Sequence, residues 1–451
     1  ANEEIFAEFQ EIDLPATKQI ILESSIAQKQ WAELGINHRI SIVSEIGKMV
    51  LENSREYAEI ITAEMGKPIL EAVAEVEKCA LVCEYYVENA EEFLKDKSLK
   101  SNAVTSFASY EPLGVIFGIM PWNFPFWQVF RFVVPAIIAG NSTLVKHAPN
   151  VQASAVAIEK IFHSGGLPKD VFRVLMIDID IVPDIISDKE VKAVSLTGSE
   201  LAGSKVAECS GKNLKKTVLE LGGSDAFIVL DDAYDLDAAA KTLSENIFIN
   251  NGQTCSAPSR LIIQSSVHDV FMDKLIKYSR TYTPNNPLLK ETVIGAVVNK
   301  EQLSKIEHYV DQGVKSGASI VLGGKTAEPV KGGFYFSPTI FDQVDNDSVI
   351  ARDEIFGPVL TVQTCDDYEE AVKISNDSKY GLAASIWTSN FNKAHTVARS
   401  LYVGTVHINS YGDDDITAPF GGYKQSGNGY KEKSLFAIDT YTNKKTTWFN
   451  V

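Results

Sequence analysis

Cys255 stands in NNGQTCSAPS, residues 250–259, among small polar residues that do not favour a helix. A thiol attacks an electrophilic carbon as its thiolate, and a free pKa of about 8.5 leaves little thiolate near neutrality. The small residues and the glycine before Cys255 let a ligand approach closely. The same ten residues also fit a buried, inert sulfur, so the segment alone does not choose between the two.

Four other segments carry residues that could do chemistry. Glu220 ends an apolar run, KKTVLE, and two glycines follow shortly after it. A carboxylate at a strand end can open onto a ligand crevice, and apolar surroundings raise its pKa toward that of a general base. A strand-end acid facing water is the alternative. Asn123 in PWNFPFW lies between a strand and a helix start. Its amide can donate to a developing oxyanion or cap the helix. In TGSELAG, Thr197 to Gly203, a strand runs into a helix, where backbone N–H groups bind phosphate. Its Gly-x-x-x-x-Gly spacing is not the dinucleotide fingerprint and reads equally as a turn. Lys146 in LVKHAP ends a strand, in reach of a ribose hydroxyl, a phosphate or plain solvent. His147 beside it reads as structural. Asp413, Asp414 and Asp415 read as a solvated loop.

Bulk properties narrow the class. The net charge is −17 and the pI about 5.0. No basic stripe is available to neutralise phosphates, so neither a nucleic acid nor an anionic membrane is expected as partner. Cys79, Cys83, Cys209, Cys255 and Cys365 are odd in number and mostly far apart, which fits reduced thiols in the cytoplasm. Cys79 and Cys83 share one helix face with no second Cys/His pair nearby, so they read as core cysteines and no metal site is expected. The start, ANEEIFAEF, lacks the features of a secretory signal. The run VFRFVVPAIIAG is interrupted by Arg131 and Pro135, too short to span a bilayer.

These residues need elements to hold them. The first ninety or so positions show helical spacing, as in Ile20, Ile21, Ile26 and Trp31. SNAVTSFASYEPLG alternates and suggests a hairpin or extended arm. From residue 113, LGVIFGIM, STLVK, FRVLM, KAVSLTG and KKTVLELGG alternate with helical stretches, which predicts a mostly parallel, doubly wound sheet. One of these helices begins near Pro125. A second α/β run follows Gly223. The tail, TYTNKKTTWFNV, favours β structure without a partner in its own neighbourhood; a second subunit could supply one.

In their order along the chain, PWNFP, KHAP, TGS, ELGG, GQTC, EIFGPV and PFGGYKQSG resemble the aldehyde dehydrogenase superfamily over essentially the whole chain. The resemblance implies an α/β fold: a Rossmann-type cofactor domain, a second α/β catalytic domain and a small β oligomerisation element. The implied boundaries are 1–95 and 111–224 for the cofactor domain, with 426–439 packing on it. Residues 225–425 form the catalytic domain, and 96–110 with 440–451 the oligomerisation strands of a homodimer or homotetramer. It also implies that Cys255 attacks the aldehyde to give a thiohemiacetal and then a thioester. Asn123 and the Cys255 N–H would hold the oxyanion, and Glu220 would activate the hydrolytic water. Lys146, Gly198, Ser199, Trp122, Glu354 and Phe356 would bind the cofactor. Many NAD-preferring members carry a glutamate three positions after the strand-end lysine. Here that residue is Pro149, so the reading is that NAD and NADP both serve.

The substrate reading rests on WQVFR. Trp127 and Arg131 are four apart and share a helix face. An arginine at this position is similar to the carboxylate-binding arginine of bacterial succinate semialdehyde dehydrogenases; a salt bridge to another helix is its structural alternative. Two departures stand against it. A second arginine that some members place six residues before the cysteine is here Ile249, and DDITAPFGGYKQSGNG looks like members that oxidise amino- or amide-bearing aldehydes. Outside this family, a cysteine hydrolase or a catalytically silent binding protein are the competing classes.

Overall fold

The runs from LGVIFGIM to KTVLE are apolar at most positions, the pattern of strands covered on both faces. In the computed structural model, which describes residues 2, 4–412 and 415–450, four helices precede them: α1 (Leu14–Glu33), α2 (Ile36–Glu52), α3 (Ser54–Met65) and α4 (Ile69–Phe93). An antiparallel pair, β1 (Lys97–Ser98) and β2 (Thr105–Pro112), comes next. Then follow β3 (Val115–Met120), α5 (Trp127–Ile138), β4 (Ser142–His147), α6 (Gln152–Ser164), β5 (Phe172–Val174), α7 (Val182–Ser187), β6 (Val191–Thr197), α8 (Glu200–Lys212) and β7 (Lys216–Glu220).

The five strands lie in the order β5-β4-β3-β6-β7, and every pair is parallel. The order turns back between β3 and β6. Doubly wound sheets bind ligands outside the carboxyl ends of their strands at that point. PWNFP follows β3 there, and TGS joins β6 to α8. Every residue of α5 is buried, including its two polar ones, Gln128 and Arg131. It starts at Trp127, two residues after Pro125, which stands just before the first turn rather than inside it.

The second run holds β8 (Ala226–Val229), α9 (Leu236–Phe248), β9 (Arg260–Gln264), β10 (Ser319–Leu322), β11 (Thr326–Ala327), β12 (Tyr335–Phe336), β13 (Thr339–Asp342), β14 (Val359–Cys365), β15 (Ala383–Trp387) and β16 (Thr405–Ile408). Seven strands make its sheet, β10-β13-β14-β9-β8-β15-β16, parallel except for β10 at one edge. β7 ends and β8 begins within a few residues, so the carboxyl edge of the first sheet faces the amino edge of the second. The segment carrying Cys255 joins α9 to β9 at this junction.

The tail corrects one expectation. Its strand, β17 (Thr442–Phe449), pairs with β2 of the same chain over its full length, Thr442 opposite Pro112 and Phe449 opposite Thr105. The partner comes from the far side of the sequence, so inspection of the neighbourhood could not find it. The sheet order is β1-β2-β17. The short helix Ser434–Thr440 before β17 packs Ala437 and Ile438 into the core around α5, and Tyr441 meets the Phe132 ring at 5.5 Å.

Candidate active site

Three successive residues ahead of Cys255 are left-handed: Asn250 (φ 50°), Asn251 (φ 57°) and Gly252 (φ 71°). Asparagine tolerates this region better than most residues. Gly252 has no substitute, because a Cβ there would stand 2.1 Å from the Gly357 carbonyl oxygen. Hydrogen bonds hold the turn from several sides. Asn250 N–H donates to Glu71 Oε2 (2.8 Å), and Asn250 Nδ2 donates to Asn123 O (2.9 Å) and Gln253 O (3.1 Å). Gly295 N–H donates to Asn251 Oδ1 (3.0 Å), and Val298 N–H to Gln253 Oε1 (3.1 Å). Such over-determination is what keeps an unusual backbone in place.

Cys255, half-buried, ends this loop between two cavities. One, of about 200 Å³, occupies the crevice between β3 and β6 and is walled by Trp122, Asn123, Gly198, Ser199, Glu354 and Phe356. The other, of about 230 Å³, lies between Phe124, Trp127, Arg131, Ile249, Tyr411 and Phe420. Among the described residues Cys255 is the one that lines both. A thiol so placed can bond to a small molecule on one side and face a redox group on the other. Burial and, after it, the Glu220 carboxylate push the thiol pKa up, while Arg131 draws it back. The resting group is therefore the thiol.

Asn123 is buried and does not cap α5; its Nδ2 donates to Gln253 O at 3.0 Å. The cap comes from Glu75 instead, whose Oε1 accepts from the N–H groups of Phe126 (2.9 Å) and Trp127 (3.1 Å). Glu220 ends β7 and is buried. Gly421 passes so close that a Cβ would lie 3.0 Å from Glu220 Oε1. Lys431, whose Nζ bonds the Gly421 carbonyl, feels the charge of Glu220.

In the crevice Ser199 caps α8, its Oγ accepting from Ala202 N–H at 3.3 Å, and Gly198 N–H donates to Glu220 O at 3.0 Å. Thr197 Oγ1 is buried there without a hydrogen-bond partner. Burial pushes Glu354 up to about 7, against the pull of the Gly223 N–H that donates to it at 2.8 Å. Phe356 is left-handed (φ 58°) and meets Trp122 edge-on, 5.5 Å between centroids. A helix N-terminus, an unpaired hydroxyl and a half-buried carboxylate beside two aromatic rings suit a ligand with phosphate, hydroxyl and flat-ring parts.

Lys146 stands outside this wall, half-buried at the end of β4 beside β3. Burial lowers its pKa, and Asp178 and Glu11 oppose that. Acidic groups thus act on Lys146 even though residue 149 is proline. His147 is buried and structural: Ala148 N–H donates to its Nδ1 (2.9 Å), which leaves Nε2 to donate to Pro125 O (2.8 Å). Burial pushes its pKa down from 6.5 to about 4. A folded pKa below the unfolded one means stability present above pH 6.5 and lost as pH falls toward 4. The loss attributable to His147 at about pH 5 should be about 2 kcal/mol. Thermal unfolding at pH 7 and pH 5 should show His147→Gln losing less on acidification than the wild type.

On the other side Arg131 is 2% exposed and pairs through Nε with Glu432 Oε2 at 2.6 Å, while its guanidinium lies 5.3 Å from the Phe420 ring centroid. So the arginine both lines the cavity and makes a salt bridge. Lys78 Nζ sits 4.6 Å from the Trp127 ring centroid. Ile249 lines this cavity too, so its position there is apolar and not cationic. Asp413 and Asp414 lie outside the described residues; Asp415 is exposed and accepts from Thr417 N–H at 2.8 Å. Sequence reasoning missed Lys67 and Glu75, both buried, and Glu71, half-buried between them at the start of α4. The signal was there for Glu75, a carboxylate on the face that carries Ile69, Ala72, Val76 and Cys79. Among the described residues no cluster of His, Cys, Asp or Glu could hold a metal ion, and no helix is long and apolar enough to cross a membrane.

Comparison with known proteins agrees with this geometry. A family model described as the aldehyde dehydrogenase family matches residues 1–447. A probable NADP(+) succinate-semialdehyde dehydrogenase of Synechocystis sp. is 44% identical over 400 residues, 88% of this chain and 87% of that one. The NAD(P)+ succinate semialdehyde dehydrogenase Sad of Escherichia coli K12 is 39% identical over 93% of this chain and 90% of its own. The crystal structure of succinic semialdehyde dehydrogenase from Streptococcus pyogenes, in complex with NADP+, superposes with a TM-score of 0.96 at 33% identity, covering 100% of this chain and 98% of that one. By sequence over nearly its whole length and by fold, the chain belongs to the aldehyde dehydrogenase family.

Proposed function

We propose that the enzyme oxidises succinate semialdehyde, or a similarly small aldehyde with a distal carboxylate, to the acid, using NAD or NADP. The single observation that carries this reading is Cys255 at the junction of two cavities, one suited to a dinucleotide and the other containing Arg131. The names of the relatives, two succinate semialdehyde dehydrogenases using NADP(+) or NAD(P)+, support it.

Cys255 Sγ, once deprotonated, bonds to the aldehyde carbon. Asn123 Nδ2 has two hydrogens; one goes to Gln253 O, and the other, with the Cys255 N–H, stabilises the oxyanion. A bound nicotinamide ring supplies the hydride acceptor. Glu354, with Trp122 and Phe356, would hold the ribose and ring end, Gly198 and Ser199 would meet the pyrophosphate, and Lys146 would bind the adenosine ribose. Glu220 then takes a proton from the water that attacks the thioester, and the acid leaves. With Pro149 in place of a carboxylate, no charge at that position would repel a 2′-phosphate, and Lys146 would meet the ribose of either cofactor. The remaining edge of β17 would join a second subunit in a dimer or a dimer of dimers. Five free cysteines suit the cytoplasm.

An aldehyde panel with both cofactors tests the substrate. Arg131→Ala should lower kcat/KM for carboxylate-bearing aldehydes by about 2–3 kcal/mol, roughly 30- to 150-fold, and spare neutral ones. Removing Arg131 leaves Glu432 buried and unpaired, so Arg131→Lys is the companion variant that keeps a cation. Equal rates across the panel, before and after substitution, would remove the semialdehyde reading.

A further inference from the structure

We infer that Glu71 is a positioning residue for the nucleophile: it clamps the left-handed turn that presents Cys255. This rests on the reading of Cys255 given above. Glu71 belongs to a platform built on α4. Lys67 and Glu75 form a buried ion pair, and Lys67 Nζ lies 3.7 Å from the Phe124 ring centroid. Glu75 also caps α5 through the N–H groups of Phe126 and Trp127. The start of α4 is thereby fixed to PWNFPFW, the segment that holds Asn123.

Glu71 extends this platform to the second catalytic segment. Asn250 follows the end of α9, and its buried N–H finds its acceptor in Glu71 Oε2, 2.8 Å away. A buried N–H without an acceptor is costly, so the carboxylate favours the left-handed turn over conformations that point this N–H elsewhere. Asn250 passes the constraint on in two directions. Its Nδ2 bonds Asn123 O and Gln253 O, and Gln253 Nε2 returns a bond to Asn250 O at 3.0 Å. The oxyanion donor and the backbone two residues before Cys255 are thus both referred to one carboxylate. What matters in this role is an oxygen acceptor, not a negative charge. Burial already pushes Glu71 up to about 7, against the Asn250 N–H and Lys67; Glu75 adds to the rise, and Tyr282 lies within its field.

The test compares two variants of the full-length enzyme. Glu71→Gln keeps an oxygen at the same reach, whereas Glu71→Met keeps the volume and removes the acceptor; Glu71→Leu serves if the methionine variant does not fold. The burst of reduced cofactor in the first turnover should fall about 100-fold in Glu71→Met, the scale of an ångström-sized misplacement. In Glu71→Gln it should stay within about 3-fold, since the amide oxygen still accepts. Iodoacetamide should alkylate Cys255 in Glu71→Met at least as fast as in the wild type, because a relaxed loop relieves the burial that holds the thiol protonated. A merely structural role would instead lower the burst amplitude in step with the folded fraction, read by circular dichroism, and leave the burst rate of the folded enzyme unchanged. A wild-type burst rate in Glu71→Met, or a burst in Glu71→Gln as slow as in Glu71→Met, overturns the inference. Cys255→Ala serves as control: if it keeps turnover, the reading of Cys255 fails, while the alkylation comparison still judges Glu71.

Discussion

Cys255→Ala is expected to abolish aldehyde-dependent reduction of NAD(P), by on the order of 10⁴-fold or more, and to leave the fold intact. The size of the effect follows from position. Among the described residues, the crevice between β3 and β6 and the apolar cavity share one lining residue, and it is this cysteine. No neighbouring side chain can replace a sulfur that must hold the substrate carbon while facing the hydride acceptor. Thr254 and Ser256 flank it, but their hydroxyls, far less acidic than a thiol, make poor nucleophiles without a base. The fold should survive because the loop is held by Asn250, Asn251 and Gln253, none of which bonds through the thiol. Since burial and Glu220 push the thiol up, acylation by the wild type should quicken as pH rises through neutrality. Nicotinamide absorbance, followed with saturating aldehyde, gives the answer. Persistent turnover in Cys255→Ala would transfer the chemistry to another residue and end the covalent mechanism.

Much of this site was legible because its parts are short and local. A strand that runs straight into Gly-Ser and a helix is readable at Thr197 to Gly203, and the structure puts a capped helix start there. Apolar runs bounded by glycine and proline marked all five strands of the first sheet. What stayed hidden depends on pairs distant in the chain. Arg131 could be placed on a helix face, yet nothing in its surroundings pointed to Glu432, which meets it from beyond the second sheet. β17 could be seen as a strand, but its partner β2 lies on the far side of both sheets in the chain order. Asn123 admitted two roles because its neighbours fit either; the capping role is taken by Glu75, a carboxylate from another helix. Chemistry at Cys255 was itself undecided locally. Family order along the chain pointed to it, and burial between two cavities gives that order a physical setting.

Glu220→Gln should separate the two halves of the reaction. The amide has nearly the shape of the carboxylate but is a far weaker base. Attack by Cys255 and hydride transfer do not need Glu220 as base, so the first turnover should proceed and reduced cofactor should appear in a burst of about one equivalent per site. Hydrolysis needs a proton taken from water, and steady-state turnover should fall by about 10²- to 10⁴-fold, the usual weight of general base catalysis. The acyl-enzyme should then accumulate on Cys255, visible as added mass on the intact protein. Electrostatics supplies a second signature. Glu220 is, after burial, the strongest influence raising the Cys255 pKa, so its neutral replacement should lower that pKa. Iodoacetamide should then label Glu220→Gln faster than the wild type at neutral pH. A structural defect would slow the burst, which the neutral replacement should leave intact. Steady-state turnover at the wild-type rate in Glu220→Gln would refute the assignment of the base, and Lys431 and Gly421, which crowd the same carboxylate, would then be the place to look for a different route to water.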